Sequence, residues 1–229
     1  MDYEGIILFL VMIINLVMSA IVVSRGYKNP INKYFSLMTF FNILWAGGLL
    51  YFRLSNDYEI VRFFGAFVYF ASLLVVLNLF YFTLYFPFKM FKFSKNWQNI
   101  FTLLISLGAL YFVFFYQKFS LSVETSGLNS IVYEPIAYLI FTVVLAILML
   151  AAILVLAIKY YMSDQVFKKS LLLVLVGVIC GVLAGSYFNL YAMYTDNFND
   201  YHFGPLFTLV INFVVFYLIF LKRDKKLEY

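Results

Sequence analysis

Few side chains in this sequence could carry out chemistry. His202 is the only histidine and Cys180 the only cysteine, and the chain has 11 acidic residues among 229. None of those acids falls inside a long apolar segment. Metal binding and acid–base catalysis need clustered His, Cys, Asp or Glu. No metal, no cofactor and no enzymatic activity are therefore expected. Ionisable groups at depth mark proton paths, ion sites and hydrolysis inside membranes, so their scarcity argues against a pump or an intramembrane protease. The last apolar segment has no lysine, which rules out a retinal Schiff base there. A single cysteine cannot form a disulfide within the chain.

The polar groups left at depth are amides. Asn15, Asn42, Asn78 and Asn212 each sit 8 to 15 residues into an apolar segment. In lipid a primary amide seeks partners on other helices. All four are expected to face the interior, either as inter-helix glue or as an intramembrane polar network that rearranges when something binds. Gly177, Gly181 and Gly185 form a GxxxGxxxG face, which lets two helices approach closely. Packing within the bundle is favoured over a homodimer interface. Trp45 lies deep in its segment, and its indole N–H needs a partner. Together with Tyr69, Tyr187, Asn189, Tyr201 and His202 it falls in the outer half of the membrane. Such aromatic and polar groups could wall a ligand-binding pocket for a small amphipathic molecule. Core packing and the interfacial aromatic belt are the plainer explanations of the same residues. His202 lies beside Asp196 and Asp200, which suits either a response to external pH or a solvated loop without a role.

The elements that must position these groups are long and apolar. Phe63 to Phe88 holds 26 residues without Asp, Glu, Lys, Arg or His. As a helix it would be roughly 39 Å long, against ~30 Å of bilayer hydrocarbon. The whole chain is 65% apolar and 12% charged, where soluble domains carry about 25% charged residues. Segments of this kind fall at Gly5–Ser24, Tyr34–Phe52, Phe63–Phe88, Asn96–Gln117, Pro135–Ile158, Ser170–Thr195 and Tyr201–Leu221. Each is long enough to cross a bilayer, and each must be helical there to satisfy its own backbone. The expected fold is all-α: a polytopic bundle of seven transmembrane helices forming one domain over residues 1–229.

Thirteen of the lysines and arginines cluster after the first, third, fifth and seventh segments, and only Arg53, Arg62 and Lys118 lie on the other side. The positive-inside rule then places the amino terminus outside and the carboxyl terminus in the cytoplasm. The net charge of +5 thus reads as orientation in the lipid bilayer, with no nucleic-acid partner. Met1 to Glu4 lacks the positive start of a secretory signal, so the first segment is kept as part of the mature protein. The longest loop, Lys118 to Glu134, alternates Phe119, Leu121 and Val123 with serines, then Ile131 and Tyr133 beyond a turn-like TSGLNS. That pattern predicts a short hairpin over the outer mouth. No inverted repeat of broken helices stands out, which counts against a transporter.

Several local patterns carry a resemblance. Asn29, Asn32, Phe35 and Trp45 in NPINKYFSLMTFFNILW, Phe82, Phe86 and Pro87 in FTLYFP, the long outer loop before YEPIAYLI, and Gly204-Pro205-Leu206 in FGPLFTLVINFVVFYLI lie in matching places along the chain. In these the chain resembles the amino-terminal seven-helix sensory region of bacterial histidine kinases and some diguanylate cyclases. The resemblance implies a module in the bacterial inner (plasma) membrane that passes an external or in-membrane stimulus to a cytoplasmic kinase or cyclase. After Leu221 only KRDKKLEY follows, with no phosphoacceptor helix or ATP-binding lobe. The kinase activity is therefore not carried over, and the expectation is either a stand-alone sensor with a separate partner or a fragment. The Lys222–Lys226 stretch would then contact that partner or anionic lipid. A small-solute carrier or channel and a structural subunit of a membrane complex are the rival readings.

Overall fold

The computed structural model of the protein describes residues 3–91, 94–124, 129–188 and 203–218. Its helices are α1 (Tyr3–Ser24), α2 (Pro30–Leu54), α3 (Tyr58–Tyr85), α4 (Lys95–Phe114), the single turn α5 (Tyr116–Phe119), α6 (Pro135–Met162), α7 (Gln165–Ser186) and α8 (Phe203–Phe216). Between α5 and α6 run strands β1 (Ser120–Glu124) and β2 (Ser130–Tyr133). Six of the helices, 20 to 28 residues long, are long and apolar enough to cross a membrane, and α8 is a shorter apolar helix of 14 described residues.

Local chemistry sets the helix ends, which differ from the charge-free boundaries. Asn29 accepts the Ile31 N–H with Pro30 in the first turn, so α2 begins before Lys33. Asp57 accepts from Glu59 and Ile60, so α3 begins ahead of Arg62. Charged residues at helix ends do not stop a helix, because their long stems can carry the charge to the interface. For the same reason α7 starts at Gln165 rather than Ser170, and α6 also continues through Lys159. Proline acts the other way. Pro87 drives Phe86 into extended backbone (φ −81°, ψ 139°), and α3 ends at Tyr85, three residues short of the expected Phe88. The fourth segment breaks at Phe115, leaving α5 as a separate turn.

Helices α1, α2, α3, α6, α7 and α8 form a ring, each packed on the next and α8 closing back on α1 and α2. Helix α3 is the most enclosed, whereas α4 is mostly exposed and packs chiefly on α3. Tyr81 and Tyr85 of α3 hold α4 through hydrogen bonds to Thr102 and Gln98. The predicted hairpin is present and antiparallel, pairing Val123 with Ile131 and Glu124 with Ser130. Arg62 fastens it to α3, with Nε donating to the Ser120 carbonyl at 2.7 Å and Nη2 to that of Gln117. Asn129 Nδ2 ties it to the end of α2 through the carbonyls of Phe52 and Ser55. Ile131 then sits in the notch at Gly65, where a Cβ would collide with it. The loop is a plug anchored on two helices.

Candidate functional site

Beneath the hairpin, five helices surround a cavity of about 50 Å³. Trp45 comes from α2, Tyr69 and Ser72 from α3, Phe141 from α6, Gly181 and Gly185 from α7, and Thr208 and Ile211 from α8. The walls are overwhelmingly apolar. Their polar side chains are Trp45, Tyr69, Ser72 and Thr208, and the hydroxyls of Ser72 and Thr208 donate to the carbonyls of Tyr69 and Gly204 in their own helices. Both hydroxyl oxygens keep acceptor capacity. Tyr69 is buried at 3% exposure and joins the cavity to the hairpin. Its ring packs edge-on against Phe119, Tyr133 and Phe141, at centroid distances of 5.0, 5.0 and 4.7 Å. Edge-to-face contacts of this kind add to the energy of area burial alone.

Of the residues expected to wall a pocket, Trp45 and Tyr69 meet at this cavity. Tyr187 does not: it is 54% exposed and packs on Phe188. Two positions beyond Gly185, it points roughly 200° around the helix from the glycine face. Asn189, Tyr201 and His202 lie outside the described residues. A cavity of 50 Å³ is also far below the ~300–1,000 Å³ of drug-sized ligand pockets. In this conformation it has room for water or a very small molecule.

All four amides are buried, but they form separate contacts rather than one network. Asn212 Nδ2 donates to Asn15 Oδ1 at 2.6 Å, joining α8 to α1. Asn42 Nδ2 lies 3.4 Å from the Pro205 carbonyl, joining α2 to the start of α8. Asn78 instead donates to Leu74 of its own helix. On the glycine face, Gly177 packs on Val214 and Gly181 on Ile211, both of α8, so these two serve packing within the chain. Gly185 differs, since a Cβ there would meet nothing among the described residues within 4 Å.

Two charged features were not anticipated. Glu4 and Arg53 form a largely buried ion pair that ties the start of α1 to the end of α2. Lys159 is completely buried, and its Nζ lies 2.6–2.9 Å from the carbonyl oxygens of Thr83, Leu84, Phe86 and Phe88, which share its three N–H donors. These carbonyls lie at and beyond the C-terminal end of α3, where helix carbonyls lose their intrahelical partners. Counting Lys159 as a loop cation hid this role. The apolar Tyr160, Tyr161 and Met162 that follow it were the available signal that the helix runs on.

The sequence patterns that carried the resemblance all have structural duties. Asn29 caps α2, and Asn32 donates to the carbonyl of Gly26, whose φ of +121° makes the α1–α2 turn. Phe35 contacts Phe82, which stacks on Phe86. Pro205 presents its carbonyl to Asn42.

The fold and its buried polar contacts define an all-α, multi-pass membrane protein. Residues 7–224 match the family described as the N-terminal 7TM region of histidine kinase. The chain belongs to that family. No curated protein matches the chain.

Proposed function

We propose that this protein is a membrane signal-input module. A stimulus from outside or within the bilayer changes the packing around the five-helix cavity, and the change leaves through α7 and α8 to a cytoplasmic histidine kinase or cyclase. The observation that carries this reading is membership of a histidine-kinase sensory family over residues 7–224. The position of the cavity supports it. The cavity is walled by the last two described helices, α7 and α8, and it reaches the hairpin through Tyr69. A stimulus can shift such an equilibrium only by its differential affinity for the two packings. In this reading the amino terminus lies outside the bacterial inner membrane. The basic residues Lys222, Arg223, Lys225 and Lys226 reach the partner or anionic lipid.

The test fuses the chain to the cytoplasmic catalytic region of a histidine kinase and reconstitutes it in vesicles. Ser72→Phe fills the cavity and is expected to change autophosphorylation several-fold while leaving the amount of inserted protein unchanged. Autophosphorylation indifferent to Ser72→Phe, together with solute flux through vesicles containing the protein, would overturn the proposal in favour of a carrier or channel.

A further inference from the structure

A second cavity adjoins the first across Phe141, between α4 and α6 on the hairpin side. It is a groove of about 460 Å³ opening sideways toward lipid. Its volume falls in the ~300–1,000 Å³ range typical of small-molecule sites. Leu73 of α3 forms its floor, and Leu104 and Gly108 of α4 face Ile140 and Val144 of α6 across it. From Ile136 to Val144 it runs about 12 Å down α6, so it spans much of one leaflet. At Gly108 a Cβ would meet nothing within 4 Å, so the glycine marks open space rather than a helix contact. The outward walls are lipid-facing, with Leu104 61% and Ile140 60% exposed.

One group in this apolar groove is ionic. Glu134, the N-cap of α6, lies at its hairpin end beside Tyr111. One carboxylate oxygen accepts the Ala137 N–H. A carboxylate has about four acceptor sites on its two oxygens, so capacity remains for a second donor. An extended apolar slot with a carboxylate at its interfacial end is complementary to one alkyl chain carrying a cationic head. It opposes the phosphate of an ordinary phospholipid.

We infer that the groove formed by Leu73, Leu104, Gly108, Ile140 and Val144 binds a long-chain alkylamine from the bilayer, with its ammonium group on Glu134. Phe141 belongs to the walls of both this groove and the central cavity, so an occupant touches the partition between them.

The experiment uses the full chain in phosphatidylcholine vesicles and a dodecylamine probe with a diazirine near the end of its chain. Adducts are expected on residues 104–108 and 140–144, competed by dodecylamine but not by dodecyl sulfate. Glu134→Gln removes the charge and is expected to weaken labelling about tenfold, the value of one charge-assisted contact. Gly108→Phe fills the groove from α4, and Ile140→Trp fills it independently from α6; each is expected to abolish the adducts. Labelling spread evenly over the lipid-facing helices, equal competition by dodecyl sulfate, or labelling unchanged in Glu134→Gln and Ile140→Trp would each overturn the inference.

Discussion

Lys159 shows how one side chain can fix the geometry of two helices. Its ammonium group replaces water for four carbonyls at the end of α3, where the helix macrodipole also favours a cation. Lys159→Met keeps the apolar stem and removes every donor. It is expected to lower stability by about 2–4 kcal/mol, the cost of lost charged hydrogen bonds and stranded carbonyls. The measurement is the denaturation midpoint in detergent, and a midpoint matching the parent protein would show that water reaches these carbonyls. Asn15 and Asn212 make a smaller contribution. A double-mutant cycle with Asn15→Leu and Asn212→Leu is expected to give a coupling of about 0.6–1.7 kcal/mol, the range for hydrogen bonds between membrane helices. Coupling near zero would mean that the two amides do not pair in the bilayer.

Between elements, the contact of α7 with α8 depends on the absence of a side chain at Gly181. A Cβ there would collide with Ile211 and approach the Phe207 carbonyl to 3.4 Å. Gly181→Val is expected to cost about 1–3 kcal/mol by overpacking. Adding Ile211→Ala opens space on the facing helix and is expected to restore most of that loss. Thermal unfolding of the single and double variants checks this, and an additive loss would place the clash elsewhere. The hairpin shows the same dependence on facing elements. A two-stranded hairpin alone is marginally stable, and this one is held by Arg62, Asn129 and the Gly65 notch.

For the whole molecule, orientation follows from charge. In the sequence, 13 of 16 lysines and arginines follow the first, third, fifth and seventh apolar segments, and the positive-inside rule predicts that this side is cytoplasmic. In a Cys180→Ser background, Leu121→Cys on the hairpin is expected to react with a membrane-impermeant maleimide in intact cells. Lys169→Cys, near the start of α7, is expected to react only after lysis. The reverse pattern would invert the topology and move the proposed input side to the cytoplasm.

By itself, the sequence determined that the chain is a bundle of long apolar helices, six of which are long and apolar enough to cross a membrane among the described residues, because a backbone in lipid must satisfy its own hydrogen bonds. It also gave the burial of Asn15, Asn42, Asn78 and Asn212, since amides avoid hydrocarbon. Partners were another matter. Asn212 meets Asn15 from 197 positions away, and Asn78 turns back to its own helix, a distinction that no local pattern carries. The duty of Lys159 was hidden because its acceptors lie at the end of a different helix, about 75 residues earlier in the chain. The cavity and the lipid-side groove exist only where helices diverge. Tertiary packing decided both, because empty space belongs to the gap between elements and to no residue of either.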